Sequence, residues 1–157
     1  MRRFAILFIS IVFTFTAAAC SSGNKNVNKT DKTASELLNT VLDSVDFPPT
    51  VEITEKSAFE EMGIDLSVTE DHAAVKQMLS VDVVEVIILK VKDGETEKAL
   101  EQLNARKDSL INDFAYYPEQ VESANATIVG SEGNVAYLIC HVDSEKAEKK
   151  LIEKINF

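Results

Sequence analysis

The sequence predicts an α+β fold: a two-layer domain with a mainly antiparallel sheet of about four strands and helices packed on one side. Three observations carry this reading. Apolar stripes of helical period open and close the folded part, β-branched runs occupy its centre and its last third, and glycine turns separate them. The element order reads α, α, β, β, α, β, β, α, for which a sheet against a layer of helices is the economical packing. A folded part of residues 33–157 suits one domain and is too short for a (β/α)₈ barrel, which needs roughly 200 residues or more.

The elements follow in order. Thr33-Ala34-Ser35-Glu36 is a capping box, and Leu37, Leu38, Val41, Leu42 and Val45 continue it as one helical stripe. Pro48 and Pro49 end that helix, because a residue before proline avoids the helical region. A short extended piece, Thr50 to Ile53, comes next. Thr54 is positioned to cap a second helix running through Met62, with Gly63 as its left-handed C′ residue.

Ala74 to Leu79 reads as a strand, and Val81 to Val91 as a stronger one. The second is apolar on both faces over Val86 to Leu89, the mark of an interior strand. Asp93-Gly94 turns the chain into the longest helix, about Glu95 to Phe114, with Ala99, Leu100, Leu103, Leu110, Ile111 and Phe114 as its core stripe and Pro118 as its stop. Strands Ala126 to Val129 and Asn134 to Val142 flank a Gly130–Gly133 hairpin loop. Asp143 caps a last helix whose apolar face is Ala147, Leu151, Ile152 and Ile155.

The segment before the domain has its own logic. Arg2 and Arg3 precede the apolar stretch Phe4 to Thr16, which matches a secretory h-region and is shorter than the roughly 20 residues of a spanning helix. Ala17-Ala18-Ala19 and Cys20 follow, an arrangement that resembles bacterial lipoprotein precursors. The resemblance implies diacylglycerol on the Cys20 thiol, cleavage between Ala19 and Cys20 (residues 1–19 being the signal peptide), and an acylated Cys20 as the first residue of a protein held at the extracytoplasmic face of the cell membrane. Two acyl chains, palmitate being expected among them, would give the stable anchoring that one chain does not. An ordinary signal peptide with a coincidental cysteine is the competing reading. Residues 20–32 are polar, with Val27 the lone apolar residue after Cys20, and read as a flexible tether reaching about 40 Å when stretched.

The formal charge is −10. Without Arg2 and Arg3, 14 basic side chains face 26 acidic ones, which is −12. Residues 20–32 carry +2, residues 33–89 carry −10 and residues 90–157 carry −4. The tether is therefore matched to an anionic bilayer surface and the domain is repelled by it. Nucleic acid is argued against, since phosphate contacts require basic patches. The densest acidic run is Glu52, Glu55, Glu60, Glu61, Asp65, Glu70 and Asp71, with Lys56 the only base among them. A cation or a basic protein partner would suit it, but the spacing is not that of an EF-hand, and a solvated acidic face is the simpler reading.

The remaining candidates for chemistry do not converge. His72 and His141 have no Cys or His at zinc-ligand spacing. Cys140 shares a strand face with Ala136, Leu138 and Val142, so it reads as a small buried hydrophobe beneath the last helix rather than a nucleophile. Asp82 and Glu85 fall on opposite strand faces, and Asp108 and Asp113 lie away from their helix's apolar stripe. Tyr116-Tyr117-Pro118 reads as a helix end packed over the sheet, with a groove lining as the alternative. There is no phosphate loop and no Gly-x-Ser-x-Gly elbow. No catalytic, cofactor or metal residue is assigned.

Several local words together carry a family resemblance: Val81-Asp82-Val83-Val84-Glu85 leading into a strand that ends Lys90-Val91-Lys92-Asp93, the long helix leading to Tyr117-Pro118-Glu119-Gln120, and a hairpin with a last helix from Asp143. Over residues 35–157 the chain is similar to bacterial lipoproteins, common in Gram-positive bacteria, that carry domain of unknown function 4358. The resemblance implies a lipoprotein with an α+β domain and no assigned activity. The expected role is a non-enzymatic binding or interaction module. The alternatives are a small cell-envelope hydrolase or cation-dependent enzyme using the Glu52–Asp71 acids, and an accessory subunit of a transport or signalling complex.

Overall fold

In a computed structural model, residues 29–79 and 83–157 are described. They form α1 (Ala34–Leu42), β1 (Thr50–Glu52), α2 (Lys56–Glu61), β2 (Thr69–Gln77), β3 (Glu85–Val91), α3 (Thr96–Ser109), α4 (Pro118–Asn125), β4 (Ile128–Glu132), β5 (Val135–Cys140) and α5 (Ser144–Asn156). The α+β class and the antiparallel sheet hold. The sheet has five strands in the order β1-β2-β3-β5-β4, and every neighbouring pair is antiparallel.

Helices cover both faces of the sheet, where packing on one side was expected. Val86 and Ile88 of β3, with Val135, Tyr137 and Ile139 of β5, pack against α1 and α5. Ile87, Leu89 and Val91, with Ala136, Leu138 and Cys140, pack against α2 and α3. The reason lies in β3 and β5 themselves. Both are apolar at odd and even positions, and a strand without a polar face needs cover on each side. Among the described residues, both clusters lie between Ala34 and Ile155, so a chain beginning at Lys29 contains them.

The capping box forms as read. Thr33 Oγ1 accepts the Glu36 N–H at 3.2 Å and Glu36 Oε2 accepts the Thr33 N–H at 2.8 Å. Asp71 of β2 adds a second cap, its Oδ2 accepting the Ala34 N–H at 2.7 Å. Other boundaries move. The cap position of α2 is Glu55, not Thr54, while Gly63 does take a left-handed φ of 78°. β2 begins at Thr69, well before Ala74, so His72 lies in a strand rather than a loop. The β4–β5 turn is only Gly133-Asn134, and Gly130 sits inside β4 opposite Tyr137. That glycine is required by contact. A Cβ on it would meet the Tyr137 ring and hydroxyl at 2.5–2.9 Å.

α3 does not stop cleanly. It passes at Leu110 into a π-helical turn, Leu110–Phe114. Pro118 starts α4, which sequence reading missed: proline's missing N–H costs nothing in a first helical turn. At the other end of the sheet, residues 29–32, read as tether, lie on the domain. The Thr30 N–H donates to Asn134 Oδ1 at 3.0 Å, Thr30 is buried, and Lys29 pairs with Asp93 at 2.6 Å.

Candidate functional site

β3 runs from Glu85 to Val91, about 20 Å, and its two ends define two poles of the domain. The chain enters at the Val91 end, where Lys29 and Thr30 meet Asp93 and Asn134. The hollows lie at the Glu85 end. One is an open cleft of about 340 Å³, formed by five separated segments: Val51 of β1, Lys76–Leu79 at the end of β2, Val83–Glu85, the α3 to π-turn stretch with Arg106, Leu110 and Phe114, and Gln120 of α4. Two further hollows open at the same pole, one between Asp46–Pro49 and His141, the other between Asn125–Ile128 and the start of α5.

The cleft has a charged floor. Glu85 takes Arg106 in a two-point contact, Nε to Oε1 at 2.9 Å and Nη2 to Oε2 at 2.7 Å. Their side chains are only 3% and 11% exposed, respectively. Burial works against the Arg106 charge, but the Glu85 contacts outweigh it and hold the guanidinium above its ordinary pKa. Phe114 of the π turn lies under the same guanidinium, 5.1 Å from ring centroid to Cζ. Gln77 also lines the cleft, and its side-chain oxygen is buried with no hydrogen-bond partner among the described residues.

The rim is apolar. Among the described residues the exposed large hydrophobics are Met78, Leu79, Phe114, Tyr116, Tyr117, Val121, Val142 and Phe157. All but Phe157, the last residue, fall at the Glu85 end. Tyr116 is 77% exposed and Tyr117 65%, so neither packs over the sheet as expected. Their backbone N–H groups are taken by Gln120 Oε1 at 2.9 and 3.1 Å, which fixes the loop while the rings stand in solvent. Local backbone capture, not ring burial, holds this segment.

The other sequence candidates are scattered. Ala19, Cys20 and Asp82 lie outside the described residues. The Glu52–Asp71 acids are distributed over β1, α2, the following loop and β2; all except the half-buried Asp71 are exposed. Glu60 pairs with Lys56, and Asp65 accepts from Ser67 and pairs with Lys98. No group of three or more His, Cys, Asp or Glu side chains among the described residues could hold a metal ion. His72 stacks edge-on against Phe59, and His141 lies against Phe47 with its Nδ1 accepting the Asp143 N–H. Asp108 is exposed, and so is Asp113, which accepts from Ser109. Cys140 is fully buried as expected, but on the α3 face rather than beneath α5, its Sγ 3.5 Å from the Ser123 carbonyl.

The Glu85–Arg106 pair was not singled out from sequence, yet it left a signal. Arg106 occupies the Ala99, Leu103, Leu110 stripe, and Glu85 shares the strand face of Ile87, Leu89 and Val91. Two opposite charges, each on an otherwise apolar stripe, are the mark of a buried pair.

No helix among the described residues is long and apolar enough to cross a membrane. A search of curated proteins gives no match, nor does a search of solved structures. One family model matches, over residues 43–141: the domain of unknown function DUF4358, which spans the sheet from before β1 to the end of β5 and includes every cleft residue. By that match over more than half its length, the chain belongs to the DUF4358 family.

Proposed function

We propose that this chain is an extracytoplasmic lipoprotein, anchored through an acylated Cys20, whose DUF4358 domain is a non-enzymatic binding module that meets its partner at the Glu85 pole. One observation carries the binding reading: three hollows and, among the described residues, nearly all the exposed large hydrophobics gather at one end of the sheet. Exposed apolar surface collected in one place marks a contact surface, where scattered residues would not. The anchor rests on the Arg2–Cys20 sequence alone. With the chain entering at the opposite pole, a bilayer below residue 29 leaves the hollow pole facing away from the membrane. Nucleic acid has no part in this reading of an acidic domain.

The enzyme alternative needs at least two carboxylates converging in one pocket. The Glu52–Asp71 acids stand on four different segments, so nothing here favours it.

A photo-reactive residue at Leu79 or Val121 should cross-link a partner in intact cells, and one at Ser131, towards the Val91 end of β4, should not. Equal yield from all three, or reproducible turnover of a substrate by the purified domain, would sink the binding reading. The anchor is tested separately. Cys20→Ser should abolish incorporation of radiolabelled fatty acid and leave the precursor uncleaved.

A further inference from the structure

We propose that the exposed aromatic segment Phe114–Val121 docks a basic segment of a partner protein, whose arginine or lysine heads lie over the Tyr116 and Tyr117 rings and pair with Asp113, Glu119 and Glu122. This rests on the reading of the Glu85 pole as the binding face, and it names the chemistry of the partner.

The segment is a presented surface. Residues 29–157 hold seven aromatic side chains, and three of them fall within Phe114–Tyr117. From Asn112 to Glu122 every residue is exposed except Ala115 and Gln120. Gln120 Oε1 accepts both the Tyr116 and the Tyr117 N–H, so the rings stand on a fixed backbone and binding has less chain to order. Neither tyrosine ring meets another ring or a cation among the described residues. Tyrosines held in this way are favoured anchors of protein interfaces.

Charge selects what docks there. From Asp108 to Asn134 the chain has five acids and no base. Asp113, Glu119 and Glu122 flank the apolar side chains in sequence, and all three are exposed. The bases just before them are engaged, Arg106 by Glu85 and Lys107 by the Thr127 carbonyl at 2.6 Å. Lys76 of the adjoining cleft is one base against three acids, and residues 80–82 add Asp82 and no base, so the sign holds. A second copy of the chain would bring the same acids, on a domain of −14, against these. An anionic bilayer would be repelled likewise.

Cation chemistry already operates beside the segment, where the Arg106 guanidinium lies against the Phe114 ring. A partner's guanidinium over Tyr116 or Tyr117 repeats that contact. The Glu52–Asp71 acids lack this second component. Lys56 and Lys98 pair with Glu60 and Asp65, and no large apolar side chain is exposed in that stretch.

The test uses the full chain in intact cells, with a photo-reactive residue at Leu79, which lines the cleft together with Phe114. The captured partner peptide, read by mass spectrometry, should be rich in Lys and Arg. Glu119→Lys with Glu122→Lys should lower the yield about tenfold, as should Tyr116→Ala with Tyr117→Ala. Glu55→Lys with Glu61→Lys changes the net charge equally, on α2, and should leave the yield unchanged. Glu119→Gln with Glu122→Gln reads the same carboxylates without reversal and should lower the yield about threefold, which keeps the test open if the reversed pair does not unfold cooperatively. Capture of a neutral or acidic peptide, of a second copy of this chain or of lipid would overturn the basic partner. Equal loss from the α2 pair would overturn its placement at the tyrosines. If the parent cross-links and both Glu119–Glu122 variants retain the full yield, this proposal falls and the binding-face reading stands. If the parent gives no cross-link, both fall.

Discussion

The two ends of the sheet are finished in opposite ways. At the Val91 end, tight turns join the elements: Gly94 after β3 and Gly133 between β4 and β5, both with left-handed φ. Side chains then tie the turns down, with Asn134 on Thr30, Lys92 on the Ser67 carbonyl, and Gln102 and Lys98 on the Asp65 loop. At the Glu85 end, the connections from β2 to β3 and from α3 to β4 are longer, a π turn replaces a clean helix stop, and apolar side chains face solvent. The core between the ends is continuous, so the difference is not one of folding capacity. One end is closed by polar bonds to its own chain, and the other keeps polar and apolar groups that its own chain does not use. Loose ends of this kind are where binding surfaces are found.

The strongest way to break this contrast is at the cleft floor. Glu85→Ala leaves Arg106 in a buried site without its counter-charge, and should cost about 3–5 kcal/mol in urea unfolding. The double replacement of Glu85 and Arg106 by Leu and Met should recover most of that loss. If Glu85→Ala alone costs less than about 1 kcal/mol, the pair is not desolvated and the cleft has no structured floor.

Gly130→Ala tests the ground between the poles. The added methyl group must displace the Tyr137 ring, whose hydroxyl donates to Glu148 of α5 at 2.8 Å. Burial first, and the Glu148 contact second, hold that phenol protonated far above its ordinary range. Moving the buried ring would disturb its packing and that hydrogen bond. The expected loss is about 1–3 kcal/mol with cross-linking from Leu79 unchanged. A neutral result in thermal unfolding would show that Tyr137 gives way freely.

At the closed end, Asn134→Ala removes the acceptor for the Thr30 N–H and should cost about 1 kcal/mol, releasing residues 29–32 first. Hydrogen exchange at the Thr30 amide reads this directly. Protection unchanged from the parent would mean the entering chain is held by something other than Asn134. The opposite end should respond the other way: Leu79→Ser, at a side chain 64% exposed, should change stability by no more than about 0.5 kcal/mol and abolish cross-linking from Val121.

The contrast also explains what was legible in the sequence. The closed end and the core are built from local patterns: a capping box, a glycine at a hairpin, alternation along β5. Such signals are complete within a few residues, and they were read with small errors of register. The placement of helices on both faces was equally present in the doubly apolar Val86–Leu89, but the two-layer economy was given more weight than that run. The cleft was not legible, because it depends on five segments meeting and on the long-range pairing of Glu85 with Arg106, 21 residues apart. Cys140 shows the intermediate case. Its burial followed from strand alternation. Which helix covers it did not, because strand parity separates the two faces without saying which helix lies on each.

The smallest effect expected concerns pH, and it belongs to the closed end alone. Asp65 caps the loop before β2, accepting from the Ser67 hydroxyl at 2.7 Å and amide at 2.9 Å, and from Lys98 at 3.2 Å. These contacts, the Ser67 hydroxyl foremost, lower its pKa to about 2 from an ordinary 3.8. A carboxyl with a lowered folded-state pKa adds stability that is fully present above its unfolded value. That stability is lost as pH falls through the folded one. The Asp65 loop should therefore stay closed down to about pH 4 and loosen progressively towards pH 2. Because Asp65 is exposed, water and salt screen most of the gain, and global unfolding should barely register it. The local readout is the carboxyl titration of Asp65 with exchange of the Ser67 amide, in the parent and in Ser67→Ala. The midpoint should lie near 2 in the parent and rise in the variant. A parent midpoint near the ordinary value would mean that the cap is not formed in solution. The closed end would then rest on the Thr30–Asn134, Lys92–Ser67 and Gln102–Asp65 bonds and the Lys29–Asp93 pair.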